Sequence, residues 1–260
     1  MKTLILTGGS SGIGKATVEL FASKGYRVFE LSRHGVSYGG ITHIYCDVTK
    51  RGDCRDAVKQ VVQQAGRVDV LISNAGMGIS GAVEFSEVDE EKRQFDVNFF
   101  GTVNITQAVL PYMREAKSGR IIFVSSMAAV FAIPYQSFYS ASKSAINTFA
   151  VSLKNEVYEF GISVCCLLPG DVKTGFTEAR VKSLVGDDIY TDMNKAVAKM
   201  EKDERNGISS ERMANKLLQL ACKNNPCLYN TVGFQYRALL FLNNFVPASI
   251  VCRIIRMVYL

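Results

Sequence analysis

Ser126, Tyr139 and Lys143 lie in one stretch, S-M-A-A-V-F-A-I-P-Y-Q-S-F-Y-S-A-S-K, with the tyrosine thirteen positions after the serine and the lysine four after the tyrosine. Positions i and i+4 share one face of a helix, which sets the phenol beside the ammonium. A neighbouring cation favours the phenolate and lowers a tyrosine pKa. Free tyrosine titrates near pH ~10, so neutrality requires about 3 units, or roughly 4 kcal/mol of differential stabilisation. A close, partly desolvated lysine supplies much of that and yields an acid/base group near the operating pH. Ser126 ends the apolar run I-I-F-V-S-S, a buried strand by pattern, and from there its hydroxyl can hydrogen-bond the same substrate oxygen. Y-x-x-x-K also occurs on solvated helix faces, so its meaning here depends on what surrounds it.

The elements that must position these groups alternate along the chain. Strand-like apolar runs fall at 3–7, 27–32, 42–46, 68–73, 120–125 and 162–168, with helical patterns at 12–24, 53–65, 86–109 and 139–160 between them. Gly25, Gly66 and Gly161 stand where three of the helices should stop. Ser86, with Asp89 three residues on, reads as the N-cap of the long helix that carries Asn98. Continuous apolar strands separated by helices predict a parallel sheet covered on both faces, an α/β doubly wound fold. No repeat or linker interrupts the chain, so residues 1–260 read as a single domain.

Composition narrows the function. The 260 residues are 48% hydrophobic and carry a formal charge of +6 without a dense Lys/Arg block, which argues against a nucleic-acid partner. The seven cysteines are odd in number and have no C-x-x-C spacing, and Cys165 and Cys166 sit in an apolar run. Buried free thiols and a reducing, cytoplasmic setting follow as expectations. His34 and His43 have no ligand partners nearby in sequence, so no metal site is expected. No secretory signal precedes the first strand, and no apolar run reaches the ~18 residues of a membrane span.

Six further motifs or positions carry chemistry. T-G-G-S-S-G-I-G, Thr7 to Gly14, runs from the first strand straight into a helix. Gly8, Gly12 and Gly14 give a tight turn that lets the backbone approach a pyrophosphate at the helix N-terminus, with Ser10, Ser11 and Ile13 in the same contact set. The second strand ends in Ser32-Arg33, where an acid would hold the ribose of NAD; serine and arginine suit a 2′-phosphate. Glu30, two residues earlier, should share the Ser32 side and speaks against that reading. Asp47-Val48 follows the third strand, in reach of an adenine, and Asn74-Ala75-Gly76 is a small-residue turn after the fourth. Asn98 is a poor mid-helix residue among apolar neighbours, and a buried asparagine needs partners. Pro169-Gly170 and Thr174 follow the sixth strand, at the sheet edge where nucleotide sites form.

In this order and spacing the motifs from Thr3 to about Thr174 resemble the short-chain dehydrogenase/reductase superfamily. The resemblance implies a Rossmann-type fold and a nicotinamide cofactor, which the Ser32-Arg33 tip makes NADP(H). It implies that Tyr139 is the general acid in carbonyl reduction and the base in alcohol oxidation. Lys143 then lowers its pKa and binds the nicotinamide ribose, Ser126 polarises the substrate oxygen, and Asn98 holds a water that relays protons toward Lys143. Thr174 and the backbone near Val172 hold the carboxamide. Residues 175–210, polar and helical with amphipathic pieces at 178–185 and 193–205, correspond to the family's substrate lid. A homodimer or homotetramer through the two long helices is also implied.

Residues 235–260 depart from the Gly-rich ending of the acyl-reductase pattern and are similar to the hydroxysteroid-dehydrogenase-like branch. Pro247 divides this tail into two apolar-faced helical pieces whose only charges are Arg237, Arg253 and Arg256. The tail either packs on the core or a second subunit, walls a hydrophobic pocket, or rests on a membrane. The expected activity is NADP(H)-dependent interconversion of a ketone or aldehyde and an alcohol on a hydrophobic, steroid- or lipid-like substrate. A 3-oxoacyl thioester or sugar reductase differs only in substrate. A non-catalytic NADP-sensing protein is the alternative of another class, and the intact Ser126, Tyr139, Lys143 and Asn98 set argues against it.

Overall fold

Strands β1 (Thr3–Thr7), β2 (Arg27–Ser32), β3 (Ile41–Tyr45), β4 (Val70–Ser73), β5 (Gly119–Val124), β6 (Ile162–Leu167) and β7 (Tyr229–Asn230) form one sheet in the order β7-β6-β5-β4-β1-β2-β3. The computed structural model describes all 260 residues. Every neighbouring pair in this sheet is parallel. Alternation along a strand sends Leu4 and Leu6 to one face and Ile5 to the other, and all three are fully buried.

Helices α1 (Gly12–Ser23) and α7 (Ser210–Cys222) cover the first face through Val18, Phe21, Met213 and Leu217. Helices α2 (Arg51–Ala65), α4 (Gly101–Glu115) and α5 (Ser137–Glu156) cover the second, where the larger cluster of 27 buried apolar residues lies. Each fully buried Leu, Ile or Phe contributes about 1.5–3 kcal/mol relative to exposure. Strand order reverses between β1 and β4, and the crevice at the carboxyl ends of those strands is where such sheets bind ligands.

Gly66 and Gly161 take left-handed conformations at the predicted helix ends. The long helix at 86–109 is built differently from its sequence pattern. Helix α3 (Val88–Phe95) starts after Glu87, while the Ser86 hydroxyl donates back to the Ala82 carbonyl at 3.1 Å, so no capping box forms. A π-helical turn, Asp96–Phe100, then joins α3 to α4, which runs past Pro111 to Glu115. Such π-turns concentrate at functional sites, and this one carries Asn98.

Residues 178–185 are not a helix. A single helical turn, Phe176–Ala179, is followed by Val181–Lys182, which pairs with Ile79–Ser80. The expected second piece is present as α6 (Met193–Arg205). The tail forms α8 (Phe234–Leu242) and α9 (Ala248–Tyr259), with Pro247 as the N-cap of the latter.

Candidate active site

The glycine-rich turn after β1 is held open by its neighbours. Gly12 has a φ of +53°, where side chains are disfavoured, and a Cβ on Gly14 would stand 2.0 Å from the Gly8 carbonyl oxygen. Asn74 Nδ2 donates to the carbonyls of Thr7 and Gly8 at 3.1 and 3.0 Å. The Thr7 hydroxyl accepts the N–H groups of Asn74 and Ala75 at 3.0 and 3.1 Å. Asn74 is thus a staple for the loop, a role its place in a small-residue turn does not announce. No side chain caps the N-terminus of α1, and Ser11, Gly12 and Ile13 border the cleft. Free N–H donors at a positive helix end fit a pyrophosphate.

At the tip of β2, Arg33 is exposed on the cleft wall together with Ser32, Asp47 and Val48. Burial works to raise the Asp47 carboxyl, but hydrogen bonds from Thr49 and the charge of Arg33 outweigh it and hold the pKa below its usual value. Asn104 Nδ2 fixes the Val48 carbonyl at 2.9 Å. Glu30 does not point to the ribose position. It is buried, accepts the Gly9 N–H at 2.9 Å, and pairs with His43 Nδ1 at 2.6 Å. The acid that weakened the 2′-phosphate reading is turned under the glycine-rich loop.

The structure brings Ser126, Tyr139 and Lys143 to one cavity of about 540 Å³, which Gly76, Pro169, Gly170, Val172 and Thr174 also border. Ser126 ends β5's run as the N-cap of a short 3₁₀ turn, its hydroxyl accepting from Ala128 N at 3.1 Å. Ser125 is spent elsewhere, bonding the Lys143 carbonyl at 3.2 Å.

Tyr139 and Lys143 share a face of α5 as their spacing requires, but the electrostatics differ from the sequence expectation. Burial raises the Tyr139 pKa, with the Ser126 hydroxyl acting against the rise. Burial also lowers Lys143 to about 8, and its Nζ donates to the Val124 carbonyl at 3.0 Å. A cation that is itself desolvated and turned to a carbonyl does not pull the phenol down.

Asn98 is fully buried. Its Oδ1 accepts Met77 N–H at 2.8 Å, and its Nδ2 donates to Met77 O and Ser142 Oγ, each at 3.0 Å. Ser142, absent from the sequence reading, passes the chain on to the Tyr139 carbonyl at 2.8 Å. A Cβ on Gly76 would meet Asn98 Oδ1 at 3.3 Å and Lys143 Nζ at 3.4 Å, so Gly76 keeps the space between them clear.

Residues 175–210 and the tail close the other end. Glu204 of α6 binds the buried Arg180 and accepts from Thr177 Oγ1 at 2.6 Å. Tyr236 of α8 lies over Gly170, donates to Asp171 Oδ2 at 2.7 Å and accepts Asp171 N–H at 3.0 Å. Tyr259 of α9 borders the same cavity. None of these contacts has a short-range sequence signal, since each joins residues at least 24 positions apart.

The model of the short chain dehydrogenase family matches residues 2–184. The chain belongs to that family. This short-chain dehydrogenase is 41% identical over 234 residues to 3-ketodihydrosphingosine reductase of Bacteroides thetaiotaomicron, spanning 88% of this chain and 87% of the relative. It is 28% identical to the probable short-chain type dehydrogenase/reductase VdlC of Helicobacter pylori, over 98% and 97% of the two chains. A short-chain dehydrogenase from Streptomyces avermitilis superposes with a TM-score of 0.84 at 27% identity, over 92% and 90%. The protein is therefore an oxidoreductase with a Rossmann-type fold. The family binds NAD(P)(H).

Proposed function

We propose that this short-chain dehydrogenase is an NADP(H)-dependent reductase of a ketone on a long-chain, lipid-like substrate. The observation that carries it is the placement of Tyr139, Ser126 and Lys143 on the wall of one cavity that the glycine-rich turn also borders. When bound, the nicotinamide supplies the hydride. Tyr139 delivers the proton to the carbonyl oxygen, and its burial keeps it protonated until that oxygen becomes basic. The Ser126 hydroxyl donates to the same oxygen. Lys143 returns a proton to Tyr139 and holds the nicotinamide ribose, and Asn98 holds a water leading toward Lys143. Val172 and Thr174 take the carboxamide. In oxidation the roles reverse.

Arg33 and Ser32 support NADP(H) over NAD(H), because the strand tip offers a guanidinium while Glu30 is occupied by Gly9 and His43. Asp47 and Val48 flank the adenine. The lipid-like substrate is supported by the 3-ketodihydrosphingosine reductase relative and by Phe131, Ile133, Phe176 and Met200 on the cavity wall. Residues 175–210 serve as the lid. Seven free cysteines suit a reducing cytoplasm, and the exposed Phe100 and Val151 of the π-turn and α5 suit contact with a second copy.

The test is a substrate screen with NADPH and NADH in parallel, using 3-ketodihydrosphingosine, a steroid ketone, a 3-oxoacyl thioester, a ketose and a small ketone. Consumption of NADPH fastest with the long-chain ketone is expected. Preference for the thioester or the ketose would replace the substrate assignment. NADPH binding without turnover of any carbonyl would make the chain a nucleotide sensor.

A further inference from the structure

All 24 acidic residues of this chain lie at or before Glu211, whereas six of its 30 basic residues follow it. The first 211 residues are thus formally neutral, and the whole charge of +6 resides in the last 49. The same stretch ends in two helices with apolar side chains turned outward. On α9, Val251, Ile255 and Tyr259 recur at i, i+4 and i+8 and are partly covered. Ile250, Ile254, Met257 and Val258 recur at i, i+4, i+7 and i+8 and are 49%, 49%, 71% and 50% exposed. Those four positions form one stripe of a helix. Arg253 and Arg256, both exposed, lie on the side of the helix away from the covered stripe. Phe241 and Phe245, from α8 and the link after it, are 65% and 70% exposed, with their tilted rings 5.3 Å apart between centroids.

A helix with an apolar stripe outward and arginines alongside matches the geometry of an element lying in a membrane interface. No helix of the chain is long and apolar enough to cross a membrane. We propose that α8 and α9 dock this protein on the surface of an anionic lipid bilayer, with the apolar stripe among the acyl chains and the basic residues on the headgroups. Charge selects this partner: α8 and α9 carry Arg237, Arg253 and Arg256 and no acid, so a second copy would bring like charges together, while an anionic leaflet is their complement. The inner side of the tail reaches the cavity through Tyr236 and Tyr259. An amphiphile therefore passes from bilayer to active site along the tail, a step that rests on the function proposed above.

The full-length protein is sedimented with vesicles of phosphatidylglycerol, of phosphatidylcholine, and of a mixture, at low and high salt. Binding should track the phosphatidylglycerol fraction and fall as salt rises. Arg253→Gln/Arg256→Gln should weaken binding to phosphatidylglycerol about thirtyfold, from loss of two surface cations, and leave phosphatidylcholine unchanged. Ile254→Glu/Met257→Glu, at exposed positions that leave the core intact, should weaken binding to all vesicles at least tenfold. Both variants should keep wild-type turnover of a water-soluble ketone, while losing turnover of a long-chain ketone presented in vesicles. No association of the wild type with phosphatidylglycerol, or association untouched by either variant, overturns the docking proposal. So does a dimer in light scattering that the Ile254→Glu/Met257→Glu variant splits without vesicle binding by the wild type. Salt-sensitive vesicle binding by a protein that reduces no carbonyl leaves the docking surface standing and removes the function proposed above.

Discussion

Lys143 Nζ stands 5.8 Å from the centroid of the Tyr139 ring, yet gives its hydrogen bond to the carbonyl of Val124 at 3.0 Å. The lysine is thus a buried ammonium, and desolvation lowers its pKa from 10.5 to about 8. A depressed lysine pKa means that the unfolded chain binds more protons between those values, so stability rises with pH from about 8 to about 10.5. Below that window the buried charge costs about 3 kcal/mol. Lys143→Met should therefore raise stability at pH 7 by up to about 3 kcal/mol in urea unfolding of the nucleotide-free protein, while abolishing turnover. A stability loss in that variant would show that the Val124 bond outweighs desolvation.

Tyr139→Phe keeps the ring packed against Phe176, at 5.8 Å between centroids. It removes only the hydroxyl, so NADPH binding by fluorescence titration should stay near wild type. Turnover should fall at least ~10²-fold with loss of general acid catalysis. Retention of more than about a tenth of the wild-type rate would assign the proton to another group.

Arg33→Ala should weaken NADPH binding about ten- to a hundredfold, the range of one charge-assisted hydrogen bond, and leave NADH nearly unchanged. Calorimetric titration with each nucleotide reads this directly. A wild type that binds NADH more tightly would contradict the reading of the β2 tip.

Glu30 tests the support beneath the phosphate loop. Glu30→Ala leaves the Gly9 N–H and His43 without their partner, and a lost buried acceptor costs about 1–3 kcal/mol. The KM for NADPH should rise about tenfold or more with kcat little changed. Glu30→Gln, which keeps an acceptor for Gly9, should recover most of the affinity. Equal losses in both variants would mean that the charge, rather than the loop contact, matters.

The strands, the glycine-rich turn and the Ser126, Tyr139, Lys143 set were legible because each depends on local pattern: a continuous apolar run, a turn that only glycine permits, and i, i+4 spacing. Asn98 was legible as an anomaly, a polar residue in an apolar helical run, although its partners were not. Those are Met77 and Ser142, 21 and 44 positions away. The same limit hid the Tyr236–Asp171 contact and the Arg180–Glu204 pair. Strand β7 has only two residues, Tyr229 and Asn230, too few to show an apolar run. Burial turns the Tyr139 shift upward in the nucleotide-free chain, because spacing fixes which side chains are neighbours while burial sets their charges. Glu30 stands on the expected strand, but sequence alone does not show that Gly9 and His43 meet it.

The central claim is tested most directly by isotopic transfer. NADPH deuterated at both C4 positions of the nicotinamide is incubated with the wild-type protein and a long-chain ketone, and the alcohol is analysed by mass spectrometry. One deuterium on the carbinol carbon is expected, with at least ~10²-fold less deuterated alcohol from Tyr139→Phe over the same interval. Alcohol formed without deuterium, or no alcohol from any carbonyl while NADPH remains bound, would contradict direct hydride transfer at the Tyr139 site.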